Sequence, residues 1–268
     1  MKHLVSLISF MWVTVNLSVG LLCLLPVTVA SYLLPTRPIK NFLYACAEHI
    51  YRAAVHVNSF WMKRVVGIEL VIEGNVSVPE NAIIICNHQS WFDIPIIQDV
   101  VLGNGPIVKF LVKQELLWVP VIGWICLALD MPRLGRSKKA DTKQRDLKEV
   151  RRVTRQQQSK PGALLVFPEG TRFSEMKKQA NQSPYRNLLR PKSGGLATML
   201  AHSEPGVVII DITINYHQPN ISIWNCLHGD PEKITVSVEQ LVPPAGQEVS
   251  EWLVARWASK DSLLSKGQ

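Results

Sequence analysis

Five apolar residues, Ala82-Ile83-Ile84-Ile85-Cys86, stand together with isoleucine at the centre, and Asn87 ends the run. A β-branched run of this length between polar residues reads as a buried strand. Leu164-Leu165-Val166-Phe167 and the stretch from Val207 to Tyr216 are of the same kind. Longer helical stretches separate these strands, and that alternation predicts an α/β fold with a mixed, mainly parallel sheet flanked by helices. The chain shows no internal repeat, low-complexity segment or Gly/Ser linker, and its 268 residues suit one soluble domain behind an N-terminal apolar segment.

The polar residues that end these strands carry the chemistry. After the first come Asn87-His88-Gln89-Ser90-Trp91-Phe92-Asp93, at the carboxyl edge where open α/β sheets bind ligands. Each helical residue turns about 100°, so on one regular helix His88 and Asp93 would stand about 140° apart. The pair fits better astride a loop and the first turn of a helix, where the carboxylate reaches Nδ1–H and leaves Nε2 as a proton acceptor. The competing reading makes Asp93 or Ser90 a helix cap and His88 an ordinary loop histidine. After Leu164–Phe167 come Pro168-Glu169-Gly170-Thr171-Arg172. Proline and glycine end the strand, glycine lets backbone approach a ligand, and Arg172 offers a planar fork suited to phosphate or carboxylate.

From Leu4 to Thr36 no residue is charged, and the stretch exceeds the roughly 20 residues that cross a bilayer. A cleaved signal peptide competes with a retained anchor, but the apolar region is long for one and Tyr32-Leu33-Leu34-Pro35 lacks a small-residue cleavage site. Ile39 to Val66 reads helical, with Phe42, Ala45, Cys46, Ile50, Ala53, Ala54 and Val57 on one face. Residues 1–66 are therefore expected as membrane-associated helices and 67–268 as the catalytic domain. Lys2 alone precedes the apolar stretch, whereas Arg37, Lys40, Arg52, Lys63 and Arg64 follow it, a bias that puts the domain in the cytoplasm.

The five cysteines are scattered and odd in number, without the spacing of a disulfide framework or zinc site. Cys86, two residues before His88, reads as a buried core thiol rather than a nucleophile. His88, Asp93 and Glu169 could be drawn around a metal, but no further His or Cys ligand stands at useful spacing. Of the formal charge of +8, a net +7 lies between Arg136 and Lys160. Leu147, Val150 and Val153 give that segment a thin apolar stripe, as in a surface helix with a solvated basic face. Anionic lipid headgroups or an acidic acyl donor are the partners such charge would attract. Nucleic acid is not expected, since no aromatic-interleaved or helix-turn-helix pattern accompanies the charge.

Together, in this order, N-H-x-x-x-x-D (Asn87, His88, Asp93) and F-P-E-G-T-R (Phe167 to Arg172) resemble the first and third motifs of the glycerolipid acyltransferases, the PlsC-type 1-acylglycerol-3-phosphate acyltransferase family. Between them, Lys113 to Trp124 is similar to the family's K-x-E-L-x-x-x-P-x-x-G-W segment. The second motif, ending in an arginine, corresponds to Leu129–Arg136, where Arg133 and Arg136 are both available and Arg136 is preferred. In place of a V-P-x-x-P fourth motif the chain has Pro205 to Tyr216, which together with Gln182–Lys192 looks more like the YihG-type bacterial branch, itself similar to lysocardiolipin acyltransferases.

The resemblance implies a glycerolipid-acyltransferase domain behind a helical hairpin in the bacterial inner membrane. It implies transfer of an acyl group from acyl-CoA or acyl carrier protein, as co-substrate, to the sn-2 hydroxyl of 1-acyl-sn-glycerol-3-phosphate, with His88 as general base oriented by Asp93. It assigns Arg172 and Arg136 to the acceptor phosphate, with Lys113 as a further candidate. Gly170 and Thr171 belong to the same substrate loop. Glu169 would bind a glycerol hydroxyl or orient Arg172, although a carboxylate beside a phosphate repels it. No cofactor and no metal are implied. Other lysophospholipid acceptors, a thioesterase or lipid hydrolase using the same base, and a non-catalytic lipid-binding protein are the alternatives.

Overall fold

The computed structural model describes residues 1–34, 36–103, 105–129, 131, 133–134, 140–157, 162–219, 221–244 and 248–266. The chain begins with two long helices, α1 (Lys2–Leu33) and α2 (Arg37–Phe60), and α2 runs into a π-helical turn at Trp61–Val65. Pro38 in the first turn of α2 has the backbone angle a helix start needs and forfeits only an N–H that would be unpaired there. α1 and α2 pack antiparallel, as the expected hairpin. Asn16 donates to Ala54 O and Asn58 Oδ1, both at 2.8 Å. Near the open end Trp12 stacks on Trp61 at 4.5 Å, and the Trp61 indole donates to Ser9.

α2 presents a different face to the core from the one its sequence predicted. Tyr51 and Val55 are buried and Tyr44 and Ala47 partly so; of the predicted face Ile50 packs on this cluster, whereas Phe42 is 67% and Val57 38% exposed. α2 has protein on two sides: α1 on one, the domain on another. Its most apolar arc is not the one the domain covers.

The remaining elements are β1 (Glu69–Gly74), β2 (Ile83–Cys86), α3 (Asp93–Leu102), β3 (Val108–Phe110), β4 (Val112–Lys113), α4 (Ile122–Ala128), β5 (Arg133–Leu134), α5 (Ala140–Gln157), β6 (Ala163–Val166), α6 (Glu175–Ala180), α7 (Gly194–Leu200), β7 (Ile209–Asn215), α8 (Ile223–Cys226), β8 (Lys233–Leu241) and α9 (Val249–Lys266). Six strands form one sheet in the order β1-β8-β7-β2-β6-β3, and β4 pairs with β5 in a small second ladder. Neighbours are parallel throughout the sheet except β7 and β8. The mixed, mainly parallel α/β architecture is therefore present.

Side-chain alternation along the strands divides the core into two layers. Ile84, Cys86, Leu165, Ile210 and Ile212 point to one face, where Ile96, Ile97 and Val100 of α3 cover them. Ile83, Ile85, Leu164, Val166 and Ile209 point to the other, against Val150 and Val153 of α5, Leu196 of α7 and Trp257 of α9. The thin stripe predicted for the basic segment is thus the inner face of α5. Burial on both faces explains why the central strands lack polar alternation.

Beneath β7 lies a buried ion cluster. Lys260 of α9 is fully buried, pairs with Asp211, and donates to Ile212 O at 2.6 Å and Thr213 Oγ1 at 3.0 Å. Arg256, one turn earlier, reaches Asp211 and Glu239, each at 2.7 Å. These bonds hold α9 against the strand whose far end enters the site.

Candidate active site

β2 and β6 are adjacent and parallel, with Ile83 opposite Leu164 and Ile85 opposite Val166. Their carboxyl ends therefore lie side by side. That register brings the polar residues after Cys86 against those after Phe167.

Asn87 sets the exit from β2. Its amide donates to Ile214 O and accepts from Ile214 N, both at 2.9 Å, so it clamps the end of β7 as a backbone unit would. His88 stands next, in a loop that ends where α3 begins at Asp93. His88 Nδ1 lies 2.7 Å from Asp93 Oδ2, the arrangement astride loop and first helical turn that the spacing predicted. The same oxygen accepts from the backbone N–H groups of Gln89 at 2.8 Å and Ser90 at 3.0 Å. Asp93 is fully buried, and the imidazole lies flat on Phe167 with ring centres 4.0 Å apart. With Nδ1 donating to Asp93, Nε2 is the nitrogen left to accept a proton. Among the described residues none hydrogen-bonds to it.

A further side-chain donor to the carboxylate, Tyr216, was not foreseen. Its hydroxyl lies 2.6 Å from Asp93 Oδ1. Burial, and then the Asp93 charge, push this phenol well above its usual range, so it remains a donor at any working pH. Tyr216 lies just beyond β7, and its position depends on how β7 pairs with β2. The pattern of the sequence carries no signal for that contact.

Glu169 sits differently from the expectation that it meets the acceptor's glycerol or orients Arg172. It is 1% exposed; one carboxyl oxygen accepts from His88 N at 3.0 Å and the other from Leu189 N at 2.9 Å. It ties the first motif, the third motif and the segment before α7 together from within. Burial pushes its carboxyl up to about 8, with the two amides opposing only in part. Near neutral pH the group is largely uncharged, which removes the repulsion of phosphate that its sequence position suggested. Glu169 engages the backbone of His88, so the three residues drawn as a possible metal site do not converge. Among the described residues no group of three or more His, Cys, Asp or Glu is placed to hold a metal.

The outer part of the third motif is cationic. Gly170 has φ +69°, a left-handed conformation that favours glycine, and a Cβ there would stand 3.3 Å from Lys192 Nζ. Arg172 is exposed, its guanidinium 4.8 Å from the ring centre of Trp91. Thr171 accepts from Lys177 Nζ at 2.9 Å. Lys177, which also donates to Arg172 O at 2.8 Å, and Lys192, beside Gly170, were not singled out by the sequence reading. The close approach Gly170 permits is to Lys192. Backbone pairing of β4 with β5 sets Lys113 opposite Leu134, and Val112 opposite Arg133, so the Lys113 segment and the second motif meet as backbone. Arg136 lies outside the described residues. Cys86 is fully buried with its thiol pushed well above the usual range by burial, which fits a core role.

A general base held by a buried carboxylate, beside a cationic loop, can deprotonate a hydroxyl on a phosphate-bearing substrate. The family model for Acyltransferase matches residues 67–215, more than half of the chain. The protein belongs to the Acyltransferase family. It is 28% identical over 209 residues to human 1-acyl-sn-glycerol-3-phosphate acyltransferase gamma, covering 69% of this chain and 52% of that protein. It is 26% identical over 206 residues to 1-acyl-sn-glycerol-3-phosphate acyltransferase 2 of Brassica napus, covering 70% of this chain and 52% of that one. The chain spans 51% to 62% of the length of the first curated relatives it matches. Its fold is similar to that of the 1-acyl-sn-glycerophosphate (LPA) acyltransferase PlsC from Thermotoga maritima, with a TM-score of 0.59 at 21% identity over 97% of this chain and 96% of that one.

Proposed function

We propose that this acyltransferase moves a fatty acyl group from a thioester, acyl-CoA or acyl carrier protein, to the sn-2 hydroxyl of 1-acyl-sn-glycerol-3-phosphate, giving phosphatidic acid. The observation that carries this reading is the His88–Asp93 pair at 2.7 Å, with Nε2 unengaged by described residues at the edge of the sheet. His88 takes the acceptor's hydroxyl proton while Asp93, braced by Tyr216, holds the tautomer and stabilises the imidazolium. The substrate hydroxyl stands where a serine protease has its serine. The donor's thiol, with a pKa near 8.5, leaves as thiolate, so transfer is direct and the protein supplies no nucleophile. Arg172, in the loop where Lys192 lies beside Gly170, receives the acceptor's phosphate.

α1 is 32 residues long and apolar, with few of its residues covered by protein. In this reading the α1–α2 hairpin lies in the inner membrane and the sheet faces the cytoplasm, where basic side chains meet anionic lipids.

The test is purified protein in detergent with radiolabelled oleoyl-CoA and a panel of lysophospholipids, beside His88→Ala, scoring diacyl product and free fatty acid. Diacyl product from lysophosphatidic acid that falls by roughly 10²–10⁴ in His88→Ala is expected. Free acid alone would make the protein a thioesterase, and near-full activity of the variant would overturn the base.

A further inference from the structure

The segment Leu116-Leu117-Trp118-Val119-Pro120-Val121-Ile122-Gly123-Trp124-Ile125-Cys126-Leu127-Ala128-Leu129 contains no charged residue, and the proposed chemistry gives its two tryptophans no role. Fourteen residues fall short of the roughly 20 that span a bilayer, and an apolar run of this length is usually a core helix or a segment lying in a membrane interface. The core explanation accounts for only one side of it. Cys126 and Leu129 are buried with Leu24 of α1 and with Tyr51 and Val55 of α2. Outward, Trp118 is 86% exposed, Trp124 57% and Leu127 49%.

The backbone holds this segment in a strained corner. Val121 has φ 66° and ψ −58°, with Ile122 N donating to Pro120 O at 2.7 Å, a tight turn rarely adopted by a β-branched residue. At Gly123 a Cβ would lie 2.1 Å from Leu117 O, so only glycine lets α4 close on the turn before it. Pro120 and Gly123 thus build the corner, and Trp118 and Trp124 are what it displays. Strain of this sort persists where the surrounding structure enforces it, and it collects at functional places.

We infer that Trp118–Leu127 is an interfacial wedge, a second membrane-contacting surface that seats the catalytic domain on the lipid bilayer. The occupant is a bilayer because the patch adjoins the lipid-facing hairpin: Leu127 lines one cleft with Val27 and Tyr32 of α1. Leu22 and Val29 of α1 are likewise exposed. Tryptophan, with an apolar body and a polar N–H, is the side chain that settles at headgroup level. The inference rests on the membrane reading of α1, and its test separates the two.

The experiment is tryptophan fluorescence of the full chain in phosphatidylcholine vesicles, with and without bromine on the acyl chains near the headgroup. Wild type is compared with Trp118→Phe/Trp124→Phe and with Trp12→Phe, which reports α1. A smaller bromine-quenched fraction in the double variant supports the wedge. An unchanged or larger fraction there, with a loss in Trp12→Phe, overturns the wedge and keeps the hairpin in the membrane; no loss in either overturns both. Conversion of a detergent-solubilised dimer to monomer by the double variant, without lipid quenching, would overturn the wedge in favour of a second copy of this chain. As an independent readout, Trp118→Ser/Trp124→Ser should raise the apparent KM for acceptor embedded in vesicles several-fold. Its KM for short-chain acceptor in solution should not move.

Discussion

Glu169→Gln tests the internal tie at the centre of the site. Both carboxyl oxygens accept a backbone N–H, from His88 and from Leu189. A protonated carboxyl can still accept at both oxygens, whereas an amide nitrogen cannot. Glutamine therefore leaves one buried N–H facing an NH₂, at a cost of roughly 1–3 kcal/mol. Burial raises the wild-type Glu169 carboxyl to about 8 in the folded state, against about 4.5 for an exposed glutamate. A group whose folded pKa is raised holds its proton more tightly in the folded state. Its stabilisation is complete below the unfolded pKa and is lost as pH rises through the folded one. Between pH 6 and pH 8 that loss integrates to about 2 kcal/mol, a fall in Tm of roughly 4–8 °C for a domain of this size. The variant has no such titration. Thermal unfolding in detergent, followed by tryptophan emission at pH 6, 7 and 8, should show the wild type above the variant at pH 6 and the gap narrowing towards pH 8. Parallel curves would refute the buried, neutral carboxyl, and a variant as stable as wild type at pH 6 would refute the two-amide tie.

Three further outcomes are expected. Tyr216→Phe removes a hydroxyl that donates to Asp93, which leaves the carboxylate more basic and the imidazolium easier to form. The acidic limb of kcat/KM against pH should move to higher pH with the fold retained, and an unmoved limb would make Tyr216 merely structural. Arg172→Ala should raise the apparent KM for a phosphate-bearing acceptor more than for the acyl donor, and the reverse in a two-substrate titration would move Arg172 to the donor site. Lys260→Met leaves Asp211 buried in a pair with Arg256 alone. Denaturant unfolding should show a loss of about 3–5 kcal/mol, and a loss under ~1 kcal/mol would mean that Arg256 suffices.

The sequence by itself determined what local patterns can carry. Ala82–Cys86 is a strand because five consecutive apolar residues have nowhere to go except between two covered faces, and β2 occupies Ile83–Cys86. His88 and Asp93 are five residues apart, close enough for a loop and one helical turn to bring them together, so their contact was legible. The apolar stretch near the start became α1 for the same reason: composition over thirty residues leaves little choice.

Only the tertiary structure decided the contacts between segments distant in sequence. Tyr216 is 123 residues from Asp93 and reaches it because β7 pairs with β2 in one register. Glu169 looks like a surface carboxylate beside an arginine, and its character changes because two distant loops close over it and withdraw it from water. The covered face of α2 was misjudged because periodicity finds an apolar arc without saying which neighbour covers it. Trp118 and Trp124 read as part of a motif, and whether they point inward or outward depends on a strained corner at Val121 and a backbone approach at Gly123. Hydrophobic pattern sets what each segment is. Strand register and burial set what its polar groups can do.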